Sequence, residues 1–354
     1  MHDVYSNLFV QENFFGHGSI NRLPELLDKQ REDDSHPAVL IVDPFFENMG
    51  LFDQMALNAN DYIVYARIQE KEPTTDYIDT VMSDIRAALG DKMPCSIVGI
   101  GGGSAMDISK AVSNLFTNGG KAQDYQGWDL VREKGVFKIG VPTISGTGAE
   151  VTRTCVMTSP TKKLGMNSRH SVFDFAILDP ALTMSAPVDQ RFYTGMDTYI
   201  HCVESLQGRL MNPFAEAFAK QSLELCREVF LGEFDHDKMM VASYLGGISV
   251  ATTMVGVVHP ISAGLSKVLG YRHGIANCIV FNVVPEYYKE VEEFHRILDH
   301  NNITLPKITA TDDEIERMVE ETHNHNKPLW NALGDDWQNI LNRDVLFDIY
   351  KRMM

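Results

Sequence analysis

The sequence predicts an N-terminal α/β domain with a parallel sheet over residues 1–180 and an all-α C-terminal domain over residues 181–354. Three observations support this prediction. The chain has 354 residues, and a single hydrophobic core usually stops growing beyond about 250–300 residues. Short runs rich in valine and isoleucine alternate with helical stretches in the first half. Long helical patterns dominate from about residue 185 onward.

Short apolar runs that end in glycine, aspartate or proline predict five strands in the first half. They cover residues 37–44, 61–68, 95–103, 137–143 and 175–180. An amphipathic stretch over residues 75–89 predicts a helix between two of them, and strands that alternate with helices are typical of a largely parallel sheet. In the second half, helical patterns cover residues 189–206, 212–231, 237–254, 275–300, 312–324 and 343–353.

The charge balance of the chain argues against two classes of partner. With 31 Lys and Arg against 48 Asp and Glu, the net charge of −17 repels phosphate backbones and anionic lipids. We therefore expect a small-molecule substrate, with neither nucleic acid nor a membrane as partner. Five cysteines without a CxxC pair indicate buried, reduced thiols. Together with N-terminal residues that lack the pattern of a signal peptide, they predict a cytoplasmic protein.

A glycine run follows the third predicted strand, in the stretch IVGIGGGSAMDISKAVS. Gly101, Gly102 and Gly103 let the backbone approach a ligand closely, and the next helix offers unpaired N–H groups to a pyrophosphate. We expect Ser104 to cap this helix and Asp107, on its first turn, to belong to the same cofactor site. The alternative is a tight turn without a ligand, because glycine is the usual turn residue.

A second polar loop, VPTISGTGAEVT over residues 141–152, repeats this pattern of hydroxyls and glycines. Thr143, Ser145 and Thr147 are suited to lining a phosphate or ribose groove, and the alternative is a polar loop without a ligand.

The carboxylate of Asp43 ends the first predicted strand. An acidic side chain in this place can accept hydrogen bonds from both hydroxyls of an adenosine ribose, which favours NAD(H) over NADP(H). The order is unusual, because the acid normally follows the glycine loop by about 20 residues, whereas Asp43 precedes it. The alternative is an aspartate that only starts a turn before Pro44.

Asp197 and His201, in the stretch TGMDTYIHCVES, are four residues apart on a predicted helix and therefore share one face. His259 and His273 follow in the stretch GVVHPISAGLSKVLGYRHG. One carboxylate and three imidazoles form a donor set that suits a divalent first-row metal. A single helical histidine is more often a core or surface residue, so the prediction depends on the combination. Cys202 lies off this face and is expected to pack in the core.

Four motifs, in this order and at these separations, resemble the iron-dependent (group III) alcohol dehydrogenases over about residues 14 to 290: GGGSAMDISK, PTISGTGAEVT, GMDTYIHCVES and the GVVH…YRHG pair. The resemblance implies a dehydroquinate synthase-like fold with an N-terminal Rossmann-like domain. It also implies a glycine motif that binds the pyrophosphate of NAD(P), and Fe²⁺ or Zn²⁺ held by Asp197, His201, His259 and His273. The metal would act as a Lewis acid on the substrate hydroxyl while a hydride passes to the nicotinamide. We also expect a homodimer.

One departure from the family concerns the substrate. Many members have a further histidine four residues after the third ligand, where this chain has Ala263. Arg153, Arg169 and His170 could place positive charge near the substrate, although exposed surface residues are the alternative. The pattern resembles members that oxidise the C8 hydroxyl of the sugar acid 3-deoxy-D-manno-octulosonate, used in lipopolysaccharide biosynthesis.

Three other functions stay open at this point. One is a generic short-chain alcohol or aldehyde dehydrogenase. Another is a lyase of the dehydroquinate synthase type, against which Asp197 argues because such enzymes typically have a glutamate ligand. The third is a metal-free binding protein, which the presence of all four metal-ligand candidates disfavours.

Overall fold

The computed structural model describes residues 9–53, 55–68 and 72–354. The chain forms two compact units. The sheet unit comprises residues 9–144 and Ala149–Ala186, and the helical unit comprises Ser145–Gly148 and Pro187–Met354. The segment Ser145–Gly148 therefore belongs to the helical unit, although the residues on both sides of it belong to the sheet unit.

The described part of the sheet unit contains nine strands in two sheets. They are β1 (Glu12–Phe15), β2 (Ala38–Val42), β3 (Tyr62–Tyr65), β4 (Ser96–Gly101), β5 (Gly127–Trp128), β6 (Lys138–Pro142), β7 (Thr154–Thr158), β8 (Lys163–Asn167) and β9 (Phe175–Leu178). The larger sheet has the order β1-β9-β6-β4-β2-β3, and all its pairs are parallel. In the smaller sheet, β8 pairs in parallel with β5 and antiparallel with β7.

The central strands explain why the parallel sheet could be predicted. Every residue of β2, β4 and β6 is buried, as expected for strands covered on both faces, which read as continuous apolar runs. Helix α1 (Leu23–Asp28) precedes β2, α2 (Thr75–Leu89) precedes β4, and α3 (Gly103–Asn118) follows β4. The five predicted strands and the predicted helix 75–89 are all present, whereas β1 and the smaller sheet were not predicted.

The helical unit contains ten further α-helices among the described residues. They are α4 (Val188–Gln207), α5 (Pro213–Phe230), α6 (His236–Thr253), α7 (Val258–Leu269), α8 (His273–Asn282), α9 (Val291–His300), α10 (Asp312–His323), α11 (Asn326–Leu333), α12 (Trp337–Ile340) and α13 (Arg343–Arg352). The single helix predicted over residues 275–300 is wrong, because α8 ends at Asn282 and α9 begins at Val291. Pro285 lies in the break and cannot supply a helical N–H.

The apolar residues of the helical unit form one continuous core that draws on α4, α5, α7, α8 and the C-terminal helices. Cys202, Cys226 and Cys278 are buried in it, and all five cysteines of the chain are buried and unpaired. No single helix of the described residues is long and apolar enough to cross a membrane. Only α6 and α7 taken together pass that test, by length and composition alone, and they are bent by 102°.

Candidate active site

Helix α4 places Asp197 and His201 one turn apart on the same face. Both residues are buried, with exposed fractions of 1% and 6%. The Oδ1 atom of Asp197 lies 3.6 Å from the Nε2 atom of His201. The four-residue spacing in the sequence therefore has the geometric consequence expected of a helix.

Helices α7 and α8 bring the other two histidines to the same carboxylate. His259 lies on the first turn of α7, and its Nε2 atom is 3.2 Å from Oδ1 of Asp197. His273 is the first residue of α8, and its Nε2 atom is 3.6 Å from the same oxygen. Gly270, with a φ of 70°, ends α7 in the left-handed conformation and lets the chain turn between the two histidines.

The distances from Oδ1 of Asp197 to the three imidazoles fit a bound divalent metal, and Asp197, His201 and His259 offer ligand atoms that all lie within 4.8 Å of one another. Four ligand atoms at the tetrahedral bond lengths of about 2.0–2.1 Å lie about 3.3–3.4 Å apart. The three separations measured from Oδ1 of Asp197 are 3.2, 3.6 and 3.6 Å. The Oδ2 atom of Asp197 and the Nδ1 atom of His201 are also buried without a hydrogen-bond partner. A carboxylate with three imidazoles is a donor set that suits both Fe²⁺ and Zn²⁺.

The electrostatics of the set favour an ionised carboxylate. Burial by itself would raise the pKa of Asp197, but the neighbouring His201 and His273 and the hydrogen bond with His259 lower it below its usual range. Burial lowers the pKa of His201. Burial also opposes protonation of His259, yet the carboxylates of Glu204 and Asp197 raise its pKa to about 9. A metal that binds through His259 must therefore displace a proton from it.

Two residues that the sequence analysis missed complete the surroundings of this set. Glu204 on α4 contacts the Nδ1 atom of His259. The amide Nδ2 of Asn277 on α8 donates a hydrogen bond to Oδ1 of Asp197 at 2.7 Å. Glu204 follows His201 by three residues and Asn277 follows His273 by four. The helical spacing that pairs Asp197 with His201 was thus a signal that could have found both residues.

In the sheet unit, Asp43 and the glycine run meet where the strand order reverses. The chain leaves β2 for β3 on one side and then crosses to β4 on the other side of β2. Ligands of open α/β sheets bind outside the carboxyl ends of the strands at such a switch point. A Cβ atom on Gly101 would lie 3.0 Å from Cβ of Asp43 and 2.7 Å from Cβ of Ala105, so only glycine fits there. The acid that precedes the glycines by almost sixty residues is therefore their neighbour in space.

The contacts of the other predicted cofactor residues differ from one another. The prediction that Ser104 caps α3 is wrong, because the helix begins at Gly103 and its N-cap residue is Gly102. The free N–H groups of α3 thus start two residues earlier. The backbone N–H of Thr143 donates to the carbonyl of Gly101 at 2.9 Å, which places it beside the glycine run. The carboxylate of Asp43 accepts from the N–H of Phe45 at 3.0 Å and so also starts a turn.

The carboxylate of Asp107 takes part in a buried polar cluster within the sheet unit. It accepts a hydrogen bond from the N–H of Val156 on β7 at 3.0 Å and lies 3.9 Å from the Nζ atom of Lys110. Burial raises the pKa of Asp107 to about 7. Its contacts therefore link α3 to β7, and its role in cofactor binding stays a prediction.

The loop Ser145–Gly148 packs within the helical unit. The N–H of Gly146 donates to the hydroxyl of Ser243 on α6 at 2.8 Å, and the hydroxyl of Thr198 on α4 donates to the carbonyl of Gly146 at 2.7 Å. Thr198 is the residue next to Asp197. The hydroxyl oxygen of Ser145 is buried without a hydrogen-bond partner. This loop is thus fixed to the helix that carries the first two metal-ligand candidates.

The predicted substrate cations all lie in the sheet unit. Arg153 forms an ion pair with Asp129, and its guanidinium lies 5.7 Å from the ring centre of Trp128. Arg169 is exposed and His170 is half-buried, both in a short 3-10 helix. Arg153 therefore already has an acidic partner, whereas Arg169 has the exposure of an ordinary surface residue.

Comparisons with known proteins agree with this arrangement. The family model described as iron-containing alcohol dehydrogenase matches residues 11–180, and the model for the C-terminal part of the Fe-containing alcohol dehydrogenase family matches residues 191–335. The NAD-dependent methanol dehydrogenase of Bacillus methanolicus is 29% identical over 96% of this chain and 91% of its own length. The sulfoacetaldehyde reductase of Bilophila wadsworthia is 30% identical over 80% of this chain and 76% of its own.

A crystal structure extends the likeness to the fold. The sulfoacetaldehyde reductase from Bifidobacterium kashiwanohense in complex with NAD⁺ has a TM-score of 0.81 and 21% identity, and the match covers 99% of both chains. Taken with the two family models, which together span both units, these matches identify the chain as a member of the iron-containing alcohol dehydrogenase family, oxidoreductases that act on alcohols and aldehydes.

Proposed function

We propose that this protein interconverts a primary alcohol and its aldehyde with a divalent metal held by Asp197, His201, His259 and His273 and with NAD(H) bound by the sheet unit. The observation that carries the proposal is the approach of three imidazole Nε2 atoms to within 3.2–3.6 Å of one buried carboxylate oxygen. Family membership favours this activity over a lyase of the dehydroquinate synthase type.

The chain's own residues would hold the reacting groups in place. When bound, the metal supplies Lewis acidity that favours loss of the substrate's hydroxyl proton, and the nicotinamide accepts a hydride. His273 is the most exposed of the four ligand candidates, at 35% of its side chain against 1–9% for the others. A substrate hydroxyl would therefore approach beside His273. Ala263, one turn after His259, is buried and offers no group that could carry the released proton.

Metal content tests the ligand assignment directly. His259→Ala should lose most of its bound metal and its activity, because a site without one of its ligands leaves the ion under-coordinated. The control is His295→Ala, which removes an imidazole exposed on α9. Metal content is measured in both purified variants and the wild type after reconstitution with Fe²⁺ or with Zn²⁺, and the turnover of the wild type with each ion shows which one supports activity. Full metal occupancy and normal turnover in His259→Ala would exclude the assignment.

We further propose that NAD(H) is preferred to NADP(H), because Asp43 directly follows β2 beside the glycine run. At an effective dielectric constant near 20, a carboxylate about 4 Å from a 2′-phosphate costs about 4 kcal/mol before screening. Asp43→Ser should reduce the ratio of kcat/KM for NAD⁺ to that for NADP⁺. An unchanged ratio would show that this carboxylate does not face the ribose.

We propose that the substrate is an acid. The specific candidate is 3-deoxy-D-manno-octulosonate, which would react at its C8 hydroxyl. Two relatives are named for sulfoacetaldehyde, a small aldehyde with an anionic group, which supports an anionic substrate class. Arg153, Arg169 and His170 were the cations suggested by the sequence. The helical unit adds the exposed Arg272, which directly precedes His273.

A substrate panel with arginine variants tests this proposal. The panel contains sugar acids, sulfoacetaldehyde, ethanol and butanol, each assayed with the metal-loaded protein by nicotinamide absorbance and by oxygen consumption. An arginine that pairs with the substrate's anionic group should cost about 2–5 kcal/mol in kcat/KM for the acid when replaced by alanine, and little for a neutral alcohol. If ethanol or butanol is turned over better than every acid, the protein is a short-chain alcohol dehydrogenase instead.

A further inference from the structure

We propose that Glu204 is a positioning residue that fixes the tautomer of His259 and thereby sets the affinity of the protein for its metal. This inference rests on the proposed metal site and adds a residue outside the four ligand candidates. Glu204 lies on α4, one turn after His201, and its side chain is fully buried.

The contacts of Glu204 account for both oxygens of its carboxylate. The Oε2 atom lies 2.5 Å from Nδ1 of His259. The Oε1 atom accepts hydrogen bonds from the N–H of Val258 at 2.6 Å and from the hydroxyl of Tyr288 at 3.2 Å. The hydroxyl of Tyr288 in turn accepts from the N–H of Val257 at 2.9 Å. The carboxylate is therefore held in one orientation from two sides.

This orientation decides which nitrogen of His259 is free. A neutral imidazole carries one N–H, and the other nitrogen has the lone pair that binds a metal. A carboxylate can only accept, so it requires the proton of His259 to be on Nδ1. The lone pair is then on Nε2, the nitrogen that faces Asp197 at 3.2 Å. Carboxylates that accept from ligating histidines in this way orient the ring and raise its basicity.

The change of Glu204 to glutamine separates this role from simple packing. Glutamine has nearly the same shape, but only one of its terminal atoms accepts hydrogen bonds. If its oxygen accepts from Val258 and Tyr288, its NH₂ group faces Nδ1 of His259 and donates to it. That arrangement places the imidazole proton on Nε2, the tautomer that cannot bind the metal there. The variant thus keeps the packing and reverses the hydrogen bond.

The experiment is a titration of the metal-free full chain with Co²⁺, followed by the visible absorption of the ion in competition with a chelator. Glu204→Gln should raise the Kd by about 10–100-fold, the usual cost of losing such a partner of a ligand. The matched control is Glu321→Gln. Glu321 is also a buried acid of the helical unit, but it pairs with Lys267 at 3.1 Å and His325 at 3.7 Å. The Kd of the Glu321→Gln variant for Co²⁺ should equal that of the wild type.

Two further measurements distinguish positioning from a general loss of structure. Thermal unfolding of the metal-free variants reports the structural cost alone, so a lower Tm with a wild-type Kd for Glu204→Gln overturns the proposal. In the background of His259→Ala, the change Glu204→Gln should have no additional effect on the Kd, because Glu204 acts through that imidazole. An equal effect in both backgrounds overturns the proposal too.

The outcomes also separate this inference from the proposed function. If His259→Ala keeps its metal, the ligand assignment itself fails. If His259→Ala loses the metal while Glu204→Gln binds Co²⁺ as the wild type does, only the inference fails. Should Glu204→Gln not fold, Glu204→Asp decides. Its shorter side chain cannot reach both Val258 and His259, so a wild-type Kd in this variant overturns the proposal.

Discussion

Replacing Gly146 by alanine should displace the loop Ser145–Gly148 from helix α4. Gly146 has a φ of +154°, and a Cβ atom on it would lie 1.7 Å from the carbonyl oxygen of Thr194 and 2.2 Å from its carbonyl carbon. Both are backbone atoms of α4, so no side chain can rotate to make room. The loop or the helix must shift, and Asp197 is one helical turn beyond Thr194.

The loss of folding stability expected for Gly146→Ala has two parts, and a matched variant separates them. A residue other than glycine in such a backbone conformation costs about 1–3 kcal/mol. Inserting an atom where none fits adds about 1–3 kcal/mol or more. Gly16→Ala carries only the first part, because Gly16 has a φ of +133° and no atom lies within 4 Å of its Cβ position. The difference between the two variants is therefore the steric cost.

Calorimetry of the metal-free protein measures this difference. A total of about 3 kcal/mol lowers the Tm of a domain of 150–250 residues by about 6–12 °C. Gly146→Ala should also bind Co²⁺ more weakly than Gly16→Ala, because the shift acts on the helix of Asp197 and His201. If the two alanine variants unfold at the same temperature and bind Co²⁺ equally, the loop is not fixed to α4 as described.

Two further predictions concern buried polar side chains. Burial raises the pKa of Glu150 to about 7 from an ordinary value of 4.5, so ionising it in the folded state costs stability as the pH rises between these values. Glu150→Gln should therefore be more stable than the wild type by about 2–3 kcal/mol at pH 8 and by less than about 1 kcal/mol at pH 5. Urea unfolding of both proteins at the two pH values measures this difference in unfolding free energy. A difference that is the same at both pH values would contradict the prediction. Asn277→Ala removes the donor to the carboxylate of Asp197 and should lower the unfolding free energy of the metal-free protein by about 1.5–3 kcal/mol. The control is Asn339→Ala, which removes an exposed amide side chain. Equal losses of unfolding free energy in the two variants would refute the importance of the buried hydrogen bond.

The central strands could be predicted because their burial is uniform. Strands β2, β4 and β6 are buried along their whole length and read as continuous apolar runs. Strand β8 has the sequence KLGMN, with a glycine and no β-branched residue, and it was not predicted. The break between α8 and α9 was missed because the apolar spacing continues through Pro285.

Some residues of the candidate site could be found from local sequence patterns, whereas others depend on contacts between segments that are distant in the sequence. The spacing of Asp197 and His201 is a helical pattern, so the pair could be found from the sequence. The position of Asp43 beside Gly101 depends on which strands are neighbours, and no local pattern contains that information. The loop Ser145–Gly148 resembled a ligand-binding loop, but its glycine at 146 is also required by the backbone of α4. A glycine pattern alone does not distinguish close approach to a ligand from close approach to another segment.

The buried charges around His259 give a reason for a divalent ion in particular. Asp197 and Glu204 are both buried, and the imidazole of His259 lies between them, 3.2 Å and 2.5 Å from their oxygens. Two ionised carboxylates without compensation are costly in such a place. The three histidines are neutral when they bind a metal, so an ion with two positive charges balances both carboxylates, and a monovalent ion would leave one unbalanced. At the proposed metal site, the acidic character of Glu204, rather than that of an amide of the same shape, follows from the charge of a divalent ion and from the proposed tautomer of His259 together.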